Sequence, residues 1–254
     1  MISSMKFILP IIIIIHLLAI NCGANDSAQQ NHFYPGEKLT YWGRWGIIPA
    51  GYVTLEVLPN EIIDGVETYH FALTAKTNSV VDFIYKIRER HDSYIDMQTT
   101  HTIQYKKRTE SKYPSDIKLN FDWDKLEATR SDFGKMTSQI HVLPGSFDPL
   151  AIVYILRLQA LKENSVIEIP VTDGKKNIMF SATITKKALV IIGEKTYETF
   201  EISPDMKNLE QLVKKDANPT FKIWITSDGQ CIPVKIQSSV GIVSFIFELA
   251  SIEP

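Results

Sequence analysis

Cysteine is nearly absent: Cys22 and Cys231 are the only two in 254 residues. If Cys22 is removed with a leader or lipidated, no intramolecular disulfide can form, and stability rests on burial. An excess of basic charge is missing too. The 27 Lys and Arg against 29 Asp and Glu exclude a nucleic-acid-binding balance. No HxxxH, HExxH or paired-cysteine spacing marks a zinc site, and no G-x-S-x-G marks a nucleophile elbow. There is no Gly/Ser linker and no repeat period, which favours one domain. No apolar run reaches the roughly 18 to 20 residues that a membrane-spanning helix needs.

What the chain does carry at its start is the layout of an export signal over residues 1–24. Met1 to Lys6 is weakly positive, Phe7 to Ile20 is apolar over 14 residues, and Asn21-Cys22-Gly23-Ala24 leads into polar sequence. Two cleavages are open. A cut after Ala24 releases a soluble protein, whereas a cut before Cys22 leaves a cysteine for lipidation and membrane attachment. Loss of Lys6 leaves 26 basic residues against 29 acidic ones, a net charge of −3. Residues 25–32, rich in Asn, Asp, Ser and Gln, bury too little to order and read as a flexible leader. The expected domain is 33–254, in an exported, periplasmic or outer-membrane-associated location.

Period-two alternation then dominates. In Lys38 to Trp45, Leu39, Tyr41, Gly43 and Trp45 oppose Lys38, Thr40, Trp42 and Arg44. Val53, Leu55 and Val57 form one face of the next strand, and Tyr69, Phe71 and Leu73 one face of a third. The cleanest case is Asp116 to Asp124, where Ile117, Leu119, Phe121 and Trp123 share a face. Phe133-Gly134 reads as a hairpin turn, and five further strands are expected between Ile178 and Leu249. Alternation on this scale predicts a mainly β fold, a curved antiparallel sheet forming a barrel or half-barrel. One segment differs. Asp148-Pro149 supplies a side-chain cap and a proline for the first helical position, and Leu150, Val153, Tyr154, Arg157 and Leu161 recur at helical spacing. The main α-helix is therefore expected near 149–161, with Arg157 needing an acidic partner from the sheet or from Asp148. A weaker helical stretch runs from Asp205 to Lys215.

These residues carry a resemblance. Gly36-Glu37-x-Leu39-x-Tyr41, Trp45-Gly46, Ala50-Gly51, Phe147-Asp148-Pro149-Leu150 leading to Arg157, and Trp224-x-Thr226-x-Asp228 leading to Ile232-Pro233-Val234 and Gly241 together resemble the bacterial exported family known as domain of unknown function 3108. The likeness spans Pro35 to Leu249. It implies an exported protein with a curved, barrel-like antiparallel sheet, and no activity. The lysine-rich stretch from Met206 to Asn218 departs from the glycine-containing loop the family would place there.

In such a fold Gly51 and Gly241 suit sharp bends or close backbone approach, Asp148 and Pro149 start the helix, and Arg157 ties it to the sheet. No residue set is assigned a catalytic, metal or cofactor role. His91, Asp92 and His101 flank a hairpin but lack a third converging ligand, Cys231 precedes a strand, and Asp122 and Asp124 share a face with Lys118 as solvated sheet surface. The segment from Tyr85 to Met97 carries polar residues on both faces, so it either turns Glu89 and His91 into a concavity or forms a charged edge strand. Expected ligand-binding candidates are Trp42, Arg44, Glu89, His91 and Trp123. They serve a non-enzymatic binding or carrier module whose partner is a lipid, glycan or protein of the envelope. An envelope polysaccharide hydrolase or transferase and a structural adaptor are the alternatives.

Overall fold

The computed structural model describes residues 33–205, 220–240 and 243–254. The signal, the leader with Cys22, Gly241 and all but the first residue of the helix expected over Asp205 to Lys215 lie outside the described residues. Strands β1 (Lys38–Trp45), β2 (Ile48–Ile63), β3 (Val66–Thr77), β4 (Arg88–Asp96), β5 (Thr102–Thr109), β6 (Ser115–Asp122), β7 (Glu127–Asp132) and β8 (Lys135–His141) form the first half. The second half holds β9 (Val166–Thr172), β10 (Asn177–Ile192), β11 (Lys195–Pro204), β12 (Thr220–Thr226), β13 (Pro233–Val240) and β14 (Val243–Glu253). A helix α1 (Ser79–Tyr85) joins β3 to β4, and α2 (Ala151–Ile155) with a 3-10 turn at Leu156–Leu158 lies between β8 and β9.

All fourteen strands belong to one antiparallel sheet in which chain neighbours pair, and β1 pairs with β14. Its ends are therefore β8 and β9. Register shifts at Thr40/Tyr41, Gly43/Arg44 and Leu58/Glu61 bend the strands, so the sheet curls until its ends meet. The seam is bridged rather than zipped. Phe147 N donates to Pro170 O at 2.9 Å, and Phe147 O accepts from Thr172 N at 2.9 Å. Ser138 Oγ donates to Gly174 O and Asn177 Nδ2 to His141 O, each at 2.7 Å. The result is a barrel-like mainly β fold.

The space inside is filled by the helix. Leu150 through Leu156 are all at most 3 % exposed. The Tyr154 ring stacks on Phe71 with centroids 3.7 Å apart, Phe33 meets it edge-on, and the Tyr154 hydroxyl donates to Glu56 O at 3.0 Å. Buried apolar side chains of this kind contribute about 1.5 to 3 kcal/mol each before entropy. The helix occupies the expected window but stops sooner, at Leu158. An amphipathic rod would show one face to the sheet, whereas this one is enclosed on every side. Gln159 then turns extended (φ −88°, ψ 148°) to lead out toward β9.

Both ends of this plug are tied. Asp148 Oδ1 accepts from Leu150 N at 2.8 Å and Ala151 N at 3.0 Å, capping the first turn around Pro149. Its Oδ2 accepts from Ser93 Oγ at 2.6 Å and Thr102 Oγ1 at 2.8 Å, on β4 and β5. At the other end Arg157 makes a two-pronged pair with Glu37, at 2.5 and 2.7 Å, and lies over the Phe33 ring. Its buried Nε has no partner among the described residues. Gly51 marks a second constraint. With φ +152°, a Cβ there would stand 2.0 Å from Lys76 O across the ladder.

Glu37→Gln should cost about 3 to 5 kcal/mol by leaving the buried guanidinium uncompensated, while Glu37→Leu combined with Arg157→Leu should fall within about 1 kcal/mol of the parent. Urea unfolding of the single and double variants measures both; equal losses would place the pair in solvent. Gly51→Ala should lose about 2 to 4 kcal/mol in the same assay, since backbone rather than a mobile side chain blocks the added methyl.

Candidate functional site

The strand period turns Glu89, His91 and Ser93 of β4 inward, together with Tyr105, Lys107 and Thr109 of β5. The ladder sets Glu89 opposite Thr109, His91 opposite Lys107 and Ser93 opposite Tyr105. β4 is paired on both sides, with β3 and β5, so it is not an edge strand. Glu89 and His91 are 5 % and 1 % exposed.

These groups form a continuous polar line. The Tyr105 hydroxyl donates to His91 Nδ1 at 2.6 Å, and His91 Nε2 donates to Glu89 Oε2 at 3.1 Å. Lys107 Nζ stands 3.4 Å from the same oxygen, and Thr109 Oγ1 donates to Glu89 Oε1 at 3.4 Å. Burial pushes the His91 imidazole down to about 4, so at neutral pH it is uncharged and carries its proton on Nε2. Burial likewise holds Lys107 below the ordinary lysine range, against the pull of Glu89, and lifts Tyr105 well above the ordinary phenol. The Asp148 carboxyl is raised by burial too, an effect offset in part by its four donors. At the centre of the line Glu89 and Lys107 form a buried pair, 3.4 Å apart.

Glu89 and Lys107 are also the floor of a cleft of about 220 Å³, open to solvent at the end of the barrel where α1 lies. Tyr85, Ile87, Tyr113 and Ile117 wall it, and the hydroxyls of Thr109, Ser111 and Ser115 face it. Apolar walls around a few convergent polar groups are the general form of a small-ligand site. With one carboxylate on the floor, already held by Lys107, Thr109 and His91, the arrangement suits hydrogen bonding to a neutral, hydroxyl-bearing group.

The five candidates from the sequence do not converge. Glu89 and His91 lie in the line just described. Trp42 and Arg44 are on the outer face of β1, where Trp42 is 63 % exposed beside Tyr52 and Arg44 pairs with Glu248 at 3.0 Å. Trp123 sits past the far end of β6, donating to Thr102 O at 2.9 Å and stacking on Phe121. Asp92 points outward, to His70 and Arg90, and His101 lies in the β4–β5 turn against Trp123, so the two do not join His91. Among the described residues no group of three or more His, Cys, Asp or Glu side chains could hold a metal ion. Asp122 pairs with Lys125 in the β6–β7 turn, and Cys231 is buried. Lys107, Tyr105, Tyr85 and Tyr113 were not singled out by the sequence. The β4–β5 register is the signal that would have found the first two.

The sequence profile of a family described as "Protein of unknown function (DUF3108)" matches residues 39–249. No curated protein matches the chain. Among solved structures, a β-barrel-like protein of domain of unknown function DUF1849 from Brucella abortus is similar, with a TM-score of 0.52 and 10% identity. The likeness covers 86% of this chain and 97% of that one. At that identity it speaks for the fold alone.

His91 gives a pH dependence. Its folded value near 4 lies below the roughly 6.5 of a free imidazole. The unfolded chain therefore binds the extra proton first, and stability falls as pH drops from about 6.5 toward 4, by up to about 3 kcal/mol. Urea unfolding between pH 7 and 5 should show this slope, and His91→Gln should flatten it. A parent protein equally stable across that window would mean the imidazole is not buried neutral.

Proposed function

The chain belongs to the DUF3108 family, and from that footing we propose that it is an exported, non-catalytic binding module of the cell envelope, whose cleft takes one sugar ring of a glycan. The observation that carries this reading is the cleft itself: tyrosine walls, three hydroxyls and a buried Glu89–Lys107 pair in a volume the size of a single ring. Aromatic faces receive the apolar side of a sugar, while a carboxylate and an ammonium meet its hydroxyls as acceptor and donor. A carboxylate matched by an ammonium favours an uncharged ligand. The lipid reading is less well supported, because α2 occupies the interior that an acyl chain would need. Export rests on the apolar run from Phe7 to Ile20 and the small residues behind it.

A second reading, an adaptor that holds a protein on its outer face, draws on the exposed Trp42 against Tyr52 beside the Arg44–Glu248 pair. The two readings separate cleanly by mutation. Calorimetric or NMR titration with glucose, galactose and N-acetylglucosamine should give saturable binding in the millimolar range, about −4 kcal/mol. Tyr113→Ala, at an exposed position, should weaken it about tenfold without changing the melting temperature, and Trp42→Ala should leave it unchanged. No response to any of the three sugars, or full binding by Tyr113→Ala, would overturn the cleft as a sugar site.

A further inference from the structure

The end of the barrel where the cleft opens also carries several large exposed apolar side chains. Antiparallel alternation brings the β1–β2, β3–β4, β5–β6 and β7–β8 connections to this one end. Ile47, in the first connection, and Phe83, on α1, are each 95 % exposed, with Val80 and Ile84 about two-thirds exposed. Phe133, in the β7–β8 turn, is exposed as well. Scattered single apolar residues on a surface need no explanation, but a set of large ones gathered at one end does.

Their exposure is built in rather than left by loose chain. Asn78 caps α1, with Oδ1 accepting from Val80 N at 3.1 Å and Val81 N at 3.0 Å. Its own Nδ2 donates to Pro49 O at 2.6 Å and its backbone N to Ala50 O at 2.9 Å, which fixes the helix beside the β1–β2 hairpin. Asp82 is gripped by Arg88 at 2.5 Å and by Thr77. With Val81 turned to the core, the helix has no choice but to present Val80, Phe83 and Ile84 outward. Charge completes the pattern. Of the charged residues in these four connections, Asp82 and Glu110 are paired with Arg88 and Arg108, which leaves Lys86 and Lys112 facing outward around the apolar tips.

We propose that this end of the barrel rests on a lipid surface. Ile47, Val80, Phe83 and Ile84 enter the boundary between headgroups and acyl chains, and Lys86 and Lys112 meet anionic headgroups. Protruding side chains on a short helix and a hairpin tip, flanked by two exposed lysines, suit a deformable bilayer with anionic headgroups. The inference is independent of what the cleft holds.

Hydrogen–deuterium exchange of the full chain tests it, since the readout is local and the N-terminal apolar run does not enter it. Added vesicles of phosphatidylcholine with phosphatidylglycerol should slow exchange in residues 46–48 and 79–85, and phosphatidylcholine alone should do so less. Ile47→Ser combined with Phe83→Ser should raise the lipid concentration needed by at least about tenfold, with an unchanged melting temperature because both side chains are already in water. Absence of local slowing on the mixed vesicles would overturn the proposal, as would slowing that survives the double substitution.

Discussion

The Asp148 carboxylate is the joint on which the architecture turns. Two of its hydrogen bonds hold the first turn of the interior helix, and two reach the inner face of β4 and β5. One buried side chain thus fixes both the start of the plug and its position against the sheet. Burying it costs desolvation, visible in its raised pKa, and the four donors make that burial tolerable. Because the plug is fixed there, Tyr154 can stack on Phe71 and Arg157 can reach Glu37.

The polar line of β4 and β5 follows from the same joint. Ser93 and Thr102 serve Asp148, Tyr105 is the register partner of Ser93, and Tyr105 fixes the His91 tautomer that lets Nε2 donate to Glu89. Glu89 then accepts from Lys107 at the cleft floor. Hydrogen bonds run from Tyr105 through His91 to Glu89 at the cleft floor, and the register of Tyr105 opposite Ser93 sets that line beside the Asp148 joint.

Much of this was legible in the residues. Alternation located the faces of β1, β3, β6 and the β7–β8 hairpin, Asp148-Pro149 located the helix start, and mixed polarity in Tyr85 to Met97 pointed to Glu89 and His91. Alternation, however, tells which side chains share a face, not which strands become neighbours or whether the sheet closes. The bridge through Phe147 and the enclosure of α2 are consequences of the curl of the whole sheet, so no local pattern announces them. No helix was expected over α1, Ser79–Tyr85, where Val80, Val81 and Ile84 are β-branched and favour strand. Its helical state depends on the Asn78 cap and the Asp82–Arg88 clamp, of which the second spans six residues. The cleft was hidden for a similar reason: its walls come from α1, β5 and β6, and only their packing assembles it.

The pairing of β1 with β14 has a consequence of its own. Lys38 lies opposite Glu253, so the two ends of the folded region are adjacent rungs in the middle of the sheet, while the open seam falls halfway along the chain. During synthesis the first strand must wait, one side unpaired, for the last eleven-residue strand to arrive. Joining the termini and cutting instead in the β8–β9 connection would make the β1–β14 pair, the one non-local pair of the sheet, local in sequence like the rest. A circular permutant of that design should fold faster than the natural order, with the same sheet at the end.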